Sequence, residues 1–459
     1  MKQLANIPKV TLIYVVLIAF ILVSYSTIRI LNLSQAVQKV KTTADTPSYV
    51  RISKESVLGT EFVANTRPLL FPLLLKLFGG NIERVAWAQG VFSMISWSIL
   101  AASVAYSLQL GFLRFAAFGL ILLLSLYRYV IGWDSVMLTE SLSLSFMVLF
   151  IASWLWLMKG WRWQKAIIVM TMALLWAFCR DTNAWVVLMV ALFLVLLFCL
   201  RYIDKKYLTL SAAFILIFFL SNLSADVGGR WIFPFQNVLG QRILPNAEAI
   251  NFFANCGMPV SPELIDLAGE FSSGQDRAFY LDPALVGYRS WLYQSGKACY
   301  VKWLVSNPIR SIQEPITEFN SLISLENIQP FLFSKRFSPI LPGRLEAILF
   351  PHQQPLIVFA VICGITLIAI LTKAWKQNKV WWVVIVLNVL VFPHYFIIWH
   401  GDVMGIYRHV LMASIQFYLG VWMLILFAAD SILSFQAAQE GFVHRLLSGM
   451  QNNKESTAI

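Results

Sequence analysis

The chain has 459 residues, of which 59% are hydrophobic and 13% charged, and its mean hydropathy is +0.71. A soluble globular domain carries roughly 25% charged residues, so the composition excludes an array of water-soluble domains and points to a chain whose main solvent is lipid. The formal charge of +12 is dispersed over short loops and not gathered in one patch, which argues against nucleic acid as a partner.

A membrane-crossing helix needs roughly 20 apolar residues. Such stretches recur near 11–31, 85–107, 115–131, 139–158, 166–179, 183–200, 208–223, 355–372, 380–398 and 408–428. The expectation is an all-α polytopic membrane protein with about ten spans. Residues 1–31 form the N-terminus and first span, and 32–84 a first long loop. Residues 85–223 hold spans two to seven, 224–354 a second long loop, 355–428 the last three spans and 429–459 a polar, frayed tail. The first apolar core, Thr11 to Val23, has the length of a secretory signal, but no A-x-A site follows, so an uncleaved anchor is expected. Alternate short loops carry Arg114; Lys159, Arg162 and Lys165; Arg201, Lys205 and Lys206; and Lys373, Lys376 and Lys379, with Asp204 the sole acid among them. The opposite loops hold Asp134, Asp181 and Asp402, with Arg180 the clear cation. With Lys2 and Lys9 ahead of the first span, this positive-inside asymmetry puts both chain ends in the cytoplasm and both long loops outside.

The first long loop holds Asp45, four residues before Tyr49 in a Thr-Pro context, and ends in an apolar segment from Pro68 to Phe78. That segment is too short to cross and should lie in the interface or re-enter partway, with Thr66 as cap and Pro68 in the first turn. The second long loop is punctuated as helices. Asn246 precedes a stretch that stops at Gly257, with Pro259 beyond. Ser261-Pro262 and Asp282-Pro283 pair a capping side chain with proline at the first helical position, and Asn307-Pro308 marks another start. A helical layer is therefore expected, not a β domain. It holds Cys256 and Cys299, for which free buried thiols are the plainer reading and a disulfide stays open in an oxidising compartment. Cys179, Cys199 and Cys363 fall within spans.

There is no internal repeat, zinc-type cysteine spacing or phosphate-binding glycine loop. At mid-depth the main polar residues are Asn388 and Gln416, whereas a proton- or ion-coupled transporter needs carboxylates or broken helices there. Charge gathers instead at the outer helix ends: Asp45 and Arg67; Arg128, Asp134 and Glu140; Arg180 and Asp181; His400, Asp402, Arg408 and His409. Such a ring suits a phosphate-bearing lipid and a hydroxyl acceptor. Each residue also has a plainer role. Asp45 can start an Asx turn, Arg67 can snorkel to headgroups and Glu140 can complement a helix dipole. Arg180 can pair with Asp181, Arg408 and His409 can anchor at the interface, and His400, Asp402 and His409 can be solvated instead of metal-bound.

Three stretches carry a family resemblance: Asp45 followed by Arg67-Pro68-Leu69-Leu70-Phe71-Pro72-Leu73-Leu74, "DSVMLTESLSLSF" around Glu140, and "GIYRHVLMASIQFYLG" around Arg408. Together they resemble the GT-C superfamily of membrane glycosyltransferases, which take polyprenyl-phosphate sugars as donors and include protein O-mannosyltransferases and lipid A aminoarabinose transferases. The likeness covers the layout of most of the chain through short motifs, and 224–354 has no counterpart in it. It implies transfer of a sugar from a polyprenyl-phosphate donor to a hydroxyl of a glycan, lipid or protein acceptor on the extracytoplasmic face, with inversion. It also implies Asp45 as general base, Glu140 as orienter of the acceptor, and Arg408, Arg180 and Arg67 as ligands of the lipid phosphate. Family members often carry adjacent acids in the first loop. Here Asp45 stands alone, with Glu55 and Glu61 further on, so a divalent cation is not favoured and no cofactor is firmly implied. A bacterial inner membrane is the expected location. The competing classes are a transporter or flippase of lipid-linked glycans, a membrane acyltransferase and a non-catalytic assembly subunit.

Overall fold

Every backbone polar group inside a bilayer must be satisfied within the protein, and helices do this locally. The computed structural model describes residues 9–274, 277–325 and 340–456, and among the described residues it contains no strand, only an isolated bridge between Lys41 and Val136. Seven helices are long and apolar enough to cross a membrane: Tyr14–Val37, Ile82–Ser107, Glu140–Met158, Asp181–Cys199, Tyr207–Val227, Trp381–Gly401 and Ile406–Gln436. The pair Gly111–Ser125 and Arg128–Ser135, bent by 57°, makes an eighth if it is one span. Trp163–Ala177 and Pro355–Leu371 are apolar but have only 15 and 17 residues. At about 1.5 Å per residue they fall short of a ~30 Å hydrocarbon core. The chain is thus an integral membrane protein by its apolar helices, with seven or eight that pass on length and composition.

Burial sorts these helices. The Glu140–Met158 and Ile406–Gln436 helices are enclosed, with 83% and 89% of their apolar windows buried, whereas the first helix is only 11% buried and lies at the rim. The two most enclosed of these helices are the ones that carry Glu140 and Arg408 in their first turns. The polar intruders clasp helices together. Asn388 Nδ2 donates to Gly420 O at 3.3 Å, where a Cβ would collide with the Asn388 side chain. Gln416 meets His394 Nδ1 at 2.8 Å and donates to Leu387 O. Such bonds between spans serve association.

The basic hairpins converge on one end of the bundle. Lys159 Nζ and Asn378 Nδ2 both donate to Ser107 O, and Asp430 accepts from the backbone N–H groups of Gln109 and Leu110. Glu140, Arg180 and Arg408 meet at the other end. Lys2 and the Lys9 side chain lie outside the described residues. The tail differs from expectation, because the last helix continues without a break from Ile406 to Ser456.

The segment 224–354 is divided, not one layer. Helices Ile232–Val238, Ala247–Asn255 and Lys297–Ser306 share a core of their own around Phe235, Phe253, Tyr288, Trp291 and Trp303. Helices Pro308–Ile323 and Gly343–Leu349 instead join the core of the spans. Tyr395 Oη donates to Pro315 O, Ser414 Oγ to Ile323 O and Trp422 Nε1 to Leu349 O. The reason is an apolar face on Pro308–Ile323, including Phe319, Leu322 and Ile323, that must leave water. Residues 326–339 lie outside the described residues. The expected caps are present at Asn246, Ser261 and Asp282, which accept from Ala249, Leu264 and Ala284 N–H. Asn307 does otherwise: its amide donates back to Trp303 O and closes the preceding helix. Gly257, at φ +88°, provides the left-handed stop. Cys256 and Cys299 both pack in this smaller core as free thiols.

Candidate functional site

The position of Asp45 follows from the loop that carries it. Lys41 N donates to Ser135 O, Met137 N donates back to Lys41 O, and Thr46 Oγ1 donates to Met137 O. These bonds stitch the first loop to the segment that immediately precedes Glu140. Asp45 is the N-cap residue of the Thr46–Ser53 helix, yet its side chain makes no capping bond. The Asx-turn reading is therefore replaced: the carboxylate is used elsewhere. Its Oδ1 accepts from Arg67 Nη2 at 2.6 Å and its Oδ2 from Arg408 Nη1 at 3.0 Å. Arg67 does not merely snorkel. Its Nε donates to Ser48 Oγ at 2.8 Å and its guanidinium lies 5.3 Å from the ring centre of Tyr49. Tyr49 in turn packs edge-on against Phe71 at 5.1 Å, in the short helix Leu70–Leu77. That helix begins two residues after the expected Pro68, and Thr66 caps nothing there but donates its own N–H to Asn65.

Arg408 bridges two acids, since its Nε stands 3.2 Å from Glu140 Oε1. The same oxygen meets Arg180 Nη1 at 3.3 Å. Arg180 precedes the Asp181–Cys199 helix and Glu140 opens its own helix, so three helix N-termini, including that of the Arg408 helix, point their positive dipole ends at this cluster. All five residues named from the sequence come together. Within these five residues three guanidinium groups face two carboxylates, and a third acid, Asp402, lies at the edge of the cluster within reach of the Arg408 charge. Exposure is graded, from 1% at the Glu140 side chain to 26% at Asp45 and 30% at Arg67, so the cluster opens on the first-loop side. Glu140 Oε2 is buried without a hydrogen-bond partner, a spare acceptor inside the site. Burial pushes the Asp45 carboxyl up, but Arg67 and Arg408 outweigh it and hold the group below its ordinary value.

Other charged residues at this end have partners of their own, and His409 and Asp402 border the cluster. Asp134 pairs with Arg29 at 2.7 Å, and Arg128 with Glu346 at 3.2 Å. Asp181 does not pair with Arg180; it binds Arg230 through both oxygens. His400 is not solvated: its Nε2 meets Ser311 O at 2.9 Å and its Nδ1 meets Tyr300 Oη at 3.1 Å. His409 Nδ1 touches Arg180 Nη2, and its Nε2 faces Asp402 Oδ2 at 3.7 Å. Asn237, Arg230 and Arg29 had no place in the sequence reading. For Arg29 the signal was available, because an arginine near the end of an apolar span needs a buried partner. Among the described residues no three His, Cys, Asp or Glu side chains gather to hold a metal. No protein-family model matches the chain, and no curated protein matches its sequence.

Proposed function

We propose that the chain is a GT-C-type membrane glycosyltransferase that moves a sugar from a polyprenyl-phosphate donor to an acceptor hydroxyl. The observation that carries this reading is Arg408, bridging Asp45 and Glu140 between Arg67 and Arg180 at the end of the bundle. A phosphodiester has one negative charge and several acceptor oxygens, which suits the guanidinium forks. In the reaction the acceptor oxygen attacks the anomeric carbon and the bond from that carbon to the phosphate oxygen breaks. Polyprenyl phosphate leaves with the electron pair, and Asp45 takes the hydroxyl proton. One displacement inverts the anomeric centre. Paired with Arg67 and Arg408, Asp45 is a weak base because the two guanidinium groups hold it ionised. A donor phosphate that draws Arg408 and Arg67 to itself frees the carboxylate and restores its basicity, so donor binding arms the base. Glu140 Oε2 is available to accept from the acceptor.

The isoprenoid tail stays in lipid. The full topology in this reading counts the bent pair and the two shorter apolar helices, Trp163–Ala177 and Pro355–Leu371, as spans, which makes ten, with both ends in the cytoplasm and the site on the extracytoplasmic face of a bacterial inner membrane. A flippase needs a polar path, and the mid-depth polar residues Asn388, His394 and Gln416 are buried and each bonded to a neighbouring helix. The test is sugar transfer in proteoliposomes supplied with polyprenyl-phosphate sugars. Inverted product formed by the wild type and lost in Asp45→Asn supports the reading; no transfer and no binding of polyprenyl phosphate overturns it.

A further inference from the structure

His409 and Asp402 lie beside the charge cluster, and the reaction above uses neither. Asp402 sits in the turn between the Val391–Gly401 helix and the last helix. Its Oδ1 accepts from Asn237 Nδ2 at 3.0 Å and from Met404 N at 2.9 Å, and its Oδ2 faces His409 Nε2. Asn237 is wholly buried and accepts from Ser272 N at 2.9 Å through its own Oδ1, so the smaller core reaches into the site at this point. On the far side of the ring, Nδ1 meets Arg180 Nη2. Arginine can only donate, so Nδ1 is the lone-pair nitrogen and the imidazole proton is on Nε2, toward Asp402. The Arg180 contact assigns a neutral ring of one tautomer, with Nε2 3.7 Å from Asp402 Oδ2, close enough for charge attraction but beyond a hydrogen bond.

We infer that Asp402 and His409 are positioning residues that fix Arg180 for the donor phosphate without neutralising it. The comparison with Glu140 makes the point. Glu140 also accepts from Arg180, but it brings a negative charge with it. A carboxylate in the place of His409 would put a second negative charge directly on Arg180 and weaken its hold on an incoming anion. A neutral imidazole holds the guanidinium in place and leaves its charge intact. The Asp402 charge is kept one ring away from Arg180 and is itself met by the Asn237 and Met404 N–H groups. Asn237 ties the smaller core to Asp402 at the edge of this site.

This inference rests on the transferase reading, and the experiment separates the two. Full-length wild type, His409→Gln, His409→Ala and Asp402→Asn are reconstituted in nanodiscs. Polyprenyl phosphate binding, transfer kinetics with each substrate varied, and thermal unfolding are measured for each. Loss of a hydrogen bond that orients a charged group predicts a donor KM raised about tenfold in His409→Ala, with acceptor KM changed less than about twofold. His409→Gln, whose side-chain carbonyl can accept the same N–H, recovers most of the loss, and Asp402→Asn shows a smaller rise of the same kind. Should His409→Ala fail to fold, the Gln and Asn variants carry the test. Wild type that binds and transfers while His409→Ala and Asp402→Asn keep its donor KM, or a Gln variant no better than Ala, overturns the positioning role and leaves the transferase reading standing. Wild type that neither binds polyprenyl phosphate nor transfers sugar overturns both.

Discussion

Two buried arginine–carboxylate arrangements stand at the same end of the bundle, and they are built differently. Around Arg29 the accounts close: one nitrogen donates to Ser125 O, another to Ser93 Oγ and Asp134, and Asp134 also accepts from Ser141. Both side chains are nearly inaccessible, at 4% and 6%. One cation meets one anion, and the pair ties the first helix to the Arg128–Ser135 segment. Around Arg408 the accounts stay open. Within the five residues the charges are unequal, one carboxylate oxygen of Glu140 has no partner, and Asp45 and Arg67 are a quarter or more exposed. A sealed pair serves the fold, whereas an unbalanced and partly open one has capacity left for a ligand.

Substitutions can break or sharpen this contrast. The largest effect is expected at Asp45→Asn, which removes the proposed base: transfer falls about 10²- to 10⁴-fold, membrane insertion is kept, and the thermal midpoint falls only by what the two part-exposed ion pairs supply. Undiminished transfer in membranes with the matched donor lipid would remove Asp45 from the mechanism. Asp134→Asn should do the opposite. Leaving Arg29 buried without its counter-ion costs roughly 3–5 kcal/mol of stability, read as a lowered midpoint, with substrate KM values unchanged in the surviving protein. A shifted KM there would show that the sealed pair is part of the site after all. Arg408→Ala should raise donor KM about tenfold or more, beyond its effect on the acceptor; a larger acceptor effect would speak against phosphate binding.

The smallest effect is on pH. The Asp45 carboxyl is held below its ordinary value, so it stays ionised in mild acid. Whatever its ion pairs add to stability is present above the unfolded carboxylate value near ~3.9 and is lost as pH falls through the lower folded value. Arg67→Ala removes one of the two lowering charges. The acid limb of stability, followed by thermal midpoint against pH, should therefore move to higher pH in that variant, and an unmoved limb would contradict the pairing.

Much of this molecule is legible without coordinates, and some of it is legible only in part. The apolar stretches mark helices because a 20-residue run without charge leaves water whatever its neighbours are. The caps at Asn246, Ser261 and Asp282 act within three residues and so can be read locally. Asn307 offered the same local signal, but a competing acceptor four residues back took its side chain. The five site residues could be nominated by type and by place at helix ends, but their pairing could not. Arg180 sits next to Asp181 in sequence and binds Glu140, 40 residues away, while Asp181 binds Arg230, 49 residues away. Adjacent residues at a helix start point their side chains apart, so sequence neighbours are poor guides to ion pairs there. The segment 224–354 was misread as one layer because its helices share the same punctuation. Which of them join the bundle is decided by the shape of the apolar face and not by the caps.

The sequence by itself therefore determined the solvent, the helices and the end of the bundle at which charge collects. Those follow from composition and from interactions that act within a turn or within one span. Tertiary structure alone decided which arginine meets which acid, why Asp45 faces Arg408 across 363 residues and why His409 is turned between Arg180 and Asp402. Such pairings depend on distances fixed by the packing of three helix ends and a stitched loop, and no local preference encodes them.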